Sequence, residues 1–173
     1  PRTIFESTFV SGTLGGWDSF GGAVTFSNGL TKVLGRYLLA LPGNHRSTGI
    51  LNKTLTIANP SILRITITAM PDELSDGANL RVKITTNDGV TIPISANHGT
   101  ILVMKYVGEI DITQPQNIIV SFYVVPPLIY VAPGNAPTYG TARAELHSFK
   151  VEVLSIYSPY IDVGVPTTEY TDV

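Results

Sequence analysis

The chain has 173 residues, 43% hydrophobic and 14% charged, with 11 basic against 13 acidic side chains and a net charge of −2. That length suits one domain with a sizeable core, and the composition is too apolar and too charge-poor for disorder. With no cysteine, thiol catalysis, iron–sulfur clusters and Cys-ligated zinc are excluded, and with no basic surplus a phosphate-neutralising nucleic-acid surface is not expected.

The chain starts at Pro1, a terminus that either removal of an initiator methionine or other processing would leave; the first is the expectation here and implies synthesis in the cytoplasm. The segment from Phe5 to Phe26 is rich in glycine: Phe5-Glu6, then Gly12-Thr13-Leu14-Gly15-Gly16-Trp17-Asp18, then Gly21-Gly22-Ala23-Val24. A tryptophan beside such a turn serves either as a core plug or as an exposed stacking platform. Turn signals follow at Asn28-Gly29 and Pro42-Gly43-Asn44, dipeptides and corners that accept positive φ. Leu63, Ile65, Ile67 and Ala69 alternate with Arg64, Thr66 and Thr68, the period of a strand with one face toward a core.

The next segment, Pro71-Asp72-Glu73-Leu74-Ser75-Asp76-Gly77, is acidic. It reads as a solvated turn, with an oxygen-rich calcium loop or, together with Glu109 and Asp111, a carboxylate pair for glycoside hydrolysis as the other readings. Leu80, Val82 and Ile84, then Val90, Ile92 and Ile94, alternate with polar residues around Asp88-Gly89, which predicts a hairpin over 79–95. Two strands, Thr100–Val107 and Ile118–Val125, are apolar on both sides. Each is expected to be buried on both faces, covered either by a loop or by another subunit. The stretch 132–141 is a long Gly/Pro-rich connection. Phe149, Val151 and Val153 close the series of alternating runs.

No segment of 11 or more residues shows a convincing helical period, and no run of about 18 apolar residues could form a membrane-spanning helix. The expected class is therefore all-β: a single jelly-roll β-sandwich or barrel of about 8–10 strands over residues 1–154, with an immunoglobulin-like sandwich second. Residues 155–173 hold Pro159, Pro166, Ile156, Tyr157, Tyr160 and Ile161 and no basic residue. This stretch reads as an extended C-terminal arm, which wraps its own domain or adds to a neighbour's sheet edge.

The histidines, His45, His98 and His147, are each without a His, Asp or Glu two to four residues ahead, so none starts a metal motif. Neither a G-x-S-x-G elbow nor a nucleotide-binding glycine fingerprint occurs. No catalytic residue, metal or cofactor is expected.

Two resemblances carry functional expectations. The Phe5-Glu6, Gly-rich turn and Gly16-Trp17 series resembles the opening of galactose-binding-like jelly rolls, including carbohydrate-binding modules. That resemblance implies a non-catalytic module in which Trp17, with Tyr37 or Tyr139, stacks on sugar rings. The whole chain, compact, all-β, charge-poor and with an extended arm, resembles the small major capsid protein of tailless icosahedral phages with an internal membrane, such as those infecting Thermus. That resemblance implies a structural virion protein that self-assembles as a dimer or larger oligomer beside a second, larger capsid protein. It implies an internal membrane nearby and no direct contact with nucleic acid. The expected interface residues are Leu102, Met104, Tyr106, Tyr123, Val125 and, in the arm, Tyr157, Tyr160 and Ile161. The capsid subunit is the leading expectation. A carbohydrate-binding module or an extracellular fibre subunit growing by strand addition is the alternative.

Overall fold

A computed structural model describes residues 1–9, 15–21, 23–27, 30–39, 44–72, 79–97, 102–125, 128–129, 138–139 and 141–156. Its elements are all strands: β1 (Arg2–Ser7), β2 (Ser19–Gly21), β3 (Ala23–Ser27), β4 (Leu30–Leu39), β5 (Asn44–Thr48), β6 (Ile50–Ile57), β7 (Ser61–Asp72), β8 (Asn79–Thr86), β9 (Gly89–Asn97), β10 (Met104–Ile112), β11 (Gln116–Val125), β12 (Leu128–Ile129), β13 (Thr138–Tyr139) and β14 (Thr141–Ile156). The alternating runs of the sequence become alternating burial. In β7, Leu63, Ile65, Ile67 and Ala69 are buried while Arg64, Thr66 and Thr68 are half-buried. In β8, Leu80, Val82 and Ile84 are buried between Arg81, Lys83 and Thr85.

Twelve of the strands form two antiparallel sheets, and β12 and β13 pair with each other as a separate ribbon. One has seven strands in the order β10-β7-β14-β4-β3, with β1 also on β14 and β5 also on β4. The other has five, in the order β2-β6-β11-β8-β9. Sequence neighbours β6 and β7, β7 and β8, β9 and β10, and β10 and β11 lie in different sheets. These crossings make a jelly-roll sandwich, as expected. The hairpin over 79–95 is β8–β9, joined at Asn87–Asp88. The extra strands beyond the expected 8–10 are mostly short, such as β2, β12 and β13.

The longest strand, β14, pairs with β7 along one side and with β4 and then β1 along the other. Its register shifts between Leu146 and Ser148 and again between Val153 and Ser155. The first shift lets Ala144 and Leu146 on one side of it, and Phe149 and Val151 on the other, all reach the core. One extra residue restores the inward phase that strict alternation would lose. The expected domain boundary between 154 and 155 falls inside β14. The arm residues Tyr157, Tyr160 and Ile161 lie outside the described residues.

The glycine-rich opening positions the indole of Trp17. Gly15 and Gly16 have φ of 68° and 88°, values that L side chains rarely adopt. The turn inserts Trp17 between Phe5 and Phe149. Beyond it, Asp18 ties the chain to β6. Its Oδ2 accepts from the Thr54 amide at 2.6 Å and its Oδ1 from Lys53 Nζ at 3.2 Å. The Thr54 amide first, and Lys53 second, hold the Asp18 carboxyl below its ordinary pKa. A carboxyl with a lowered folded pKa contributes stability above its unfolded value, and that contribution is lost as pH falls through the folded value. The stability difference between wild type and Asp18→Asn is therefore expected to be constant at neutral pH and to shrink below about pH 4. Paired urea titrations across pH 2.5–7 read this directly, and parallel curves over the whole range would disprove it.

Within the chain, the two strands expected to be buried on both faces are covered on one face only, so no loop of the described residues covers the other. In β11, Ile118, Val120, Phe122 and Val124 fill the core, but Ile119 is exposed and Tyr123 and Val125 only half-buried. The second strand begins at Met104 and runs on to Ile112 as β10, an edge strand of the seven-stranded sheet. Leu102, Val103, Met104 and Val107 are each between 46% and 57% exposed. The exposed side chains cluster at the start of β10 and on its outward side, while Ile112 at its end is buried.

Candidate functional site

The outer faces of the two sheets differ in chemistry. On the outer face of the seven-stranded sheet, several of the described charged side chains pair with one another. Arg64 donates from Nε and Nη2 to Glu109 Oε2 at 3.1 and 2.9 Å, and Lys150 Nζ lies 3.6 Å from Glu152 Oε2. His147 Nε2 lies 3.3 Å from Glu145 Oε1. Glu145 stands two residues before His147, on the N-terminal side where a metal motif starting at the histidine would have no ligand.

The outer face of the five-stranded sheet is assembled by register. Asn52 of β6 stands opposite Ser19 of β2 and Ser121 of β11, and Ser121 opposite Lys83 of β8. The next row is Ile50, Tyr123, Arg81 and Ser95. Facing positions in an antiparallel pair point to the same side, so these residues share one surface. Ser121 is buried, and its Oγ bonds Asn52 Oδ1 at 2.7 Å. Lys83 Nζ lies 5.4 Å from the centre of the Tyr123 ring, within cation–π reach. Arg81 Nε is buried and has no hydrogen-bond partner. An aromatic ring, an amide, hydroxyls and two cations thus share one surface.

The expected stacking residues distribute differently. Trp17 is 3% exposed, so it is not a ligand platform. Its ring meets Phe5 at 5.2 Å and 85° and Phe149 at 4.8 Å and 75°. The Gly-Gly turn delivers the indole inward, and the core-plug alternative is the one observed. Tyr37 lies in β4 and Tyr139 in β13, neither of them on the five-stranded sheet.

Of the expected interface residues, Leu102 and Met104 are exposed along β10 and the segment leading into it. Tyr106 is half-buried against the core, and burial raises its phenol pKa. Tyr123 and Val125 sit on the other sheet, so the structure divides these residues between two surfaces. The prominence of Tyr123 beside Arg81 and Lys83 has no signal in the sequence, because β8 and β11 are far apart along it.

The acidic turn carries no described metal cluster. Asp72 ends β7, and Glu73 and Asp76 lie outside the described residues. Among the described residues no group of three metal-ligating side chains occurs. His45 lies in β5, and His98 falls outside the described residues. A cavity of about 220 Å³ opens at the far end of the sandwich from Tyr123, lined by Arg2, Ile4, Thr56, Ile57, Asn59 and Val153 among others. It is smaller than the roughly 300–1,000 Å³ usual for small-molecule sites.

No protein-family model and no curated protein matches the chain in sequence. Solved structures match it in shape. The catalytic domain of an endo-1,3-β-glucanase (laminarinase) from Thermotoga petrophila RKU-1 has a TM-score of 0.54 at 9% identity, over 89% of this chain and 98% of that one. The CBM22-1 xylan-binding domain of Paenibacillus barcinonensis Xyn10C has a TM-score of 0.49 at 15% identity, over 90% and 97%. The infectious bursal disease virus Gx strain structure has a TM-score of 0.29 at 11% identity, over 78% of this chain and 36% of that one. At such identities likeness is one of fold, and the fold is that of an all-β jelly-roll sandwich.

Proposed function

We propose that the chain is a non-catalytic glycan-binding module whose ligand lies on the outer face of the five-stranded sheet. The observation that carries the reading is Tyr123, half-buried in a surface of amide and hydroxyl side chains, with Asn52 and Ser121 already oriented by their own hydrogen bond. A sugar ring offers an apolar face to an aromatic and a rim of hydroxyls to amides, which is the pairing this surface presents. Isothermal titration of the full chain against xylan, laminarin and polygalacturonate tests it. At least one of these is expected to bind, and Tyr123→Ala is expected to weaken that binding about tenfold or more, equivalent to about 1.4 kcal/mol. Absence of binding to all three, or full affinity in the variant, would overturn the reading.

A second reading, the self-assembling capsid subunit, is favoured by a different observation. Leu102 and Val103 before β10, and Met104 and Val107 on it, are large apolar side chains left exposed, and Val90 and Ile92 are exposed on β9. Exposed apolar edges of this kind mark association surfaces. In this reading the chain resides in a virion, beside a larger capsid protein and over an internal membrane, after synthesis in the host cytoplasm. Light scattering over a concentration series is expected to show a dimer or larger species that Val107→Lys returns to the 18.6 kDa monomer. A wild-type monomer at every concentration would count against self-assembly.

A further inference from the structure

The five-stranded sheet is segregated by charge. Its strands, β2, β6, β8, β9 and β11, contain no Asp or Glu, whereas those of the seven-stranded sheet contain Glu6, Asp72, Glu109, Asp111, Glu145 and Glu152. The basic residues of the acid-free sheet are Lys53, Arg81 and Lys83. Lys53 is engaged with Asp18 and lies 5.3 Å from the Phe5 ring centre, off the outer face. That leaves Arg81 and Lys83 as the cations of the outer face. They are two residues apart on β8 and so project to the same side about 7 Å apart. Of the described carboxylates nearest this sheet in sequence, Asp18 is held by Thr54 and Lys53, and Asp88 stands at the β8–β9 turn.

We infer that the glycan taken by this face is acidic, a polysaccharide whose sugars carry carboxylates, with Arg81 and Lys83 as the residues that select it. The inference rests on the glycan-binding reading above and narrows it to a ligand class. A neutral sugar laid over Tyr123 would cover two cations without giving them a counter-charge. Covering an unpaired charge is unfavourable, so the same surface disfavours neutral chains and favours acidic ones. Arg81 adds a specific demand. Its Nε is buried, so a ligand on the surface meets the guanidinium through its terminal Nη groups, which offer carboxylate oxygens two parallel donors. Lys83, held beside the Tyr123 ring, places the second positive charge where a stacked uronate would extend along the sheet. Asn52 and Ser121, in the neighbouring row, are left for hydroxyls.

The test compares one backbone with and without its charge. The full chain is titrated with sodium polygalacturonate, with alginate and with fully methyl-esterified pectin, and neutral xylan serves as the uncharged reference. The acidic polymers are expected to bind at least tenfold tighter than the methyl ester or xylan. The preference is expected to weaken as NaCl rises from 50 to 300 mM. Lys83→Gln and Arg81→Gln are each expected to reduce the acidic-to-neutral ratio at least threefold with an unchanged melting temperature. Should Arg81→Gln fail to fold, Lys83→Gln decides alone. Equal affinity for polygalacturonate and its methyl ester, tighter binding of xylan, or an unchanged ratio in the variants would overturn the acidic preference and leave the glycan-binding reading standing. Binding to none of the polymers would overturn both.

Discussion

Trp17→Ala is expected to be among the most damaging single substitutions in the protein, lowering stability by about 3–5 kcal/mol, the usual range for deleting a buried aromatic. For a chain of this size that corresponds to a fall of roughly 10 °C in melting temperature. The indole is nearly enclosed, and it contacts Phe5 and Phe149 edge to face. Those two rings are themselves 6.2 Å apart, so removing the indole opens a cavity at the junction of β1, β14 and the glycine turn. The indole Nε1 has no hydrogen-bond partner, which leaves packing as what holds it. Trp17→Phe is accordingly expected to recover part of the loss. Thermal melts of the three proteins check this, and a Trp17→Ala protein that melts with wild type would show that the indole is not part of the core. The same pair separates stability from recognition: Trp17→Phe is expected to keep wild-type glycan affinity, because the site lies on the other sheet's outer surface.

Gly108→Ala is expected to destabilise by about 1–3 kcal/mol, the range for overpacking a filled site, and Gly108→Val by more. Gly108 is on β10, where the edge of the seven-stranded sheet approaches β9, the edge of the five-stranded one. A β-carbon at this position would stand 2.5 Å from the Pro93 carbonyl oxygen and 2.8 Å from Ile94 Cγ1. The obstruction is backbone, so it cannot be relieved by a change of rotamer, and the two edges would have to separate. Pro93 suits its side of this seam, because an edge strand has no ladder bond for a missing amide to break. Urea denaturation measures the loss, and a stability within 0.5 kcal/mol of wild type would show that the seam opens freely. Because Val107 adjoins Gly108, an opened seam is also expected to change any self-association that runs through β10.

Much of the sandwich was legible in the sequence because strand formation is local. Alternation at 63–69 and 80–84 set which side chains face inward, and Asp88-Gly89 marked the turn between β8 and β9. These signals depend on period two and on turn chemistry, both contained within a few residues. The phase shift in β14 was less legible, because Leu146 and Phe149 are three apart and only the bulge between them reconciles the spacing with one buried face.

Strand neighbours and solvent exposure are not local. The apolar run at 100–107 has the same character as the one at 118–125, and both were expected to be buried on two faces. The sheet order places β11 in the centre and β10 at an edge, so similar sequences end in different surroundings. The candidate site shows the same limit. Tyr123 comes from β11, Arg81 and Lys83 from β8, and Asn52 from β6, and only the pairing of those strands sets them on one surface. The chemistry of Trp17 suits a sugar platform, while the direction of its side chain depends on the turn before it and the rings around it. By itself the sequence determined an all-β class, the inward faces of its alternating strands and its β8–β9 hairpin, since these follow from spacing along the chain. Only the tertiary structure decided which strands are edges, which aromatics reach the surface and which charges lack a partner, since each depends on residues brought together from distant parts of the chain.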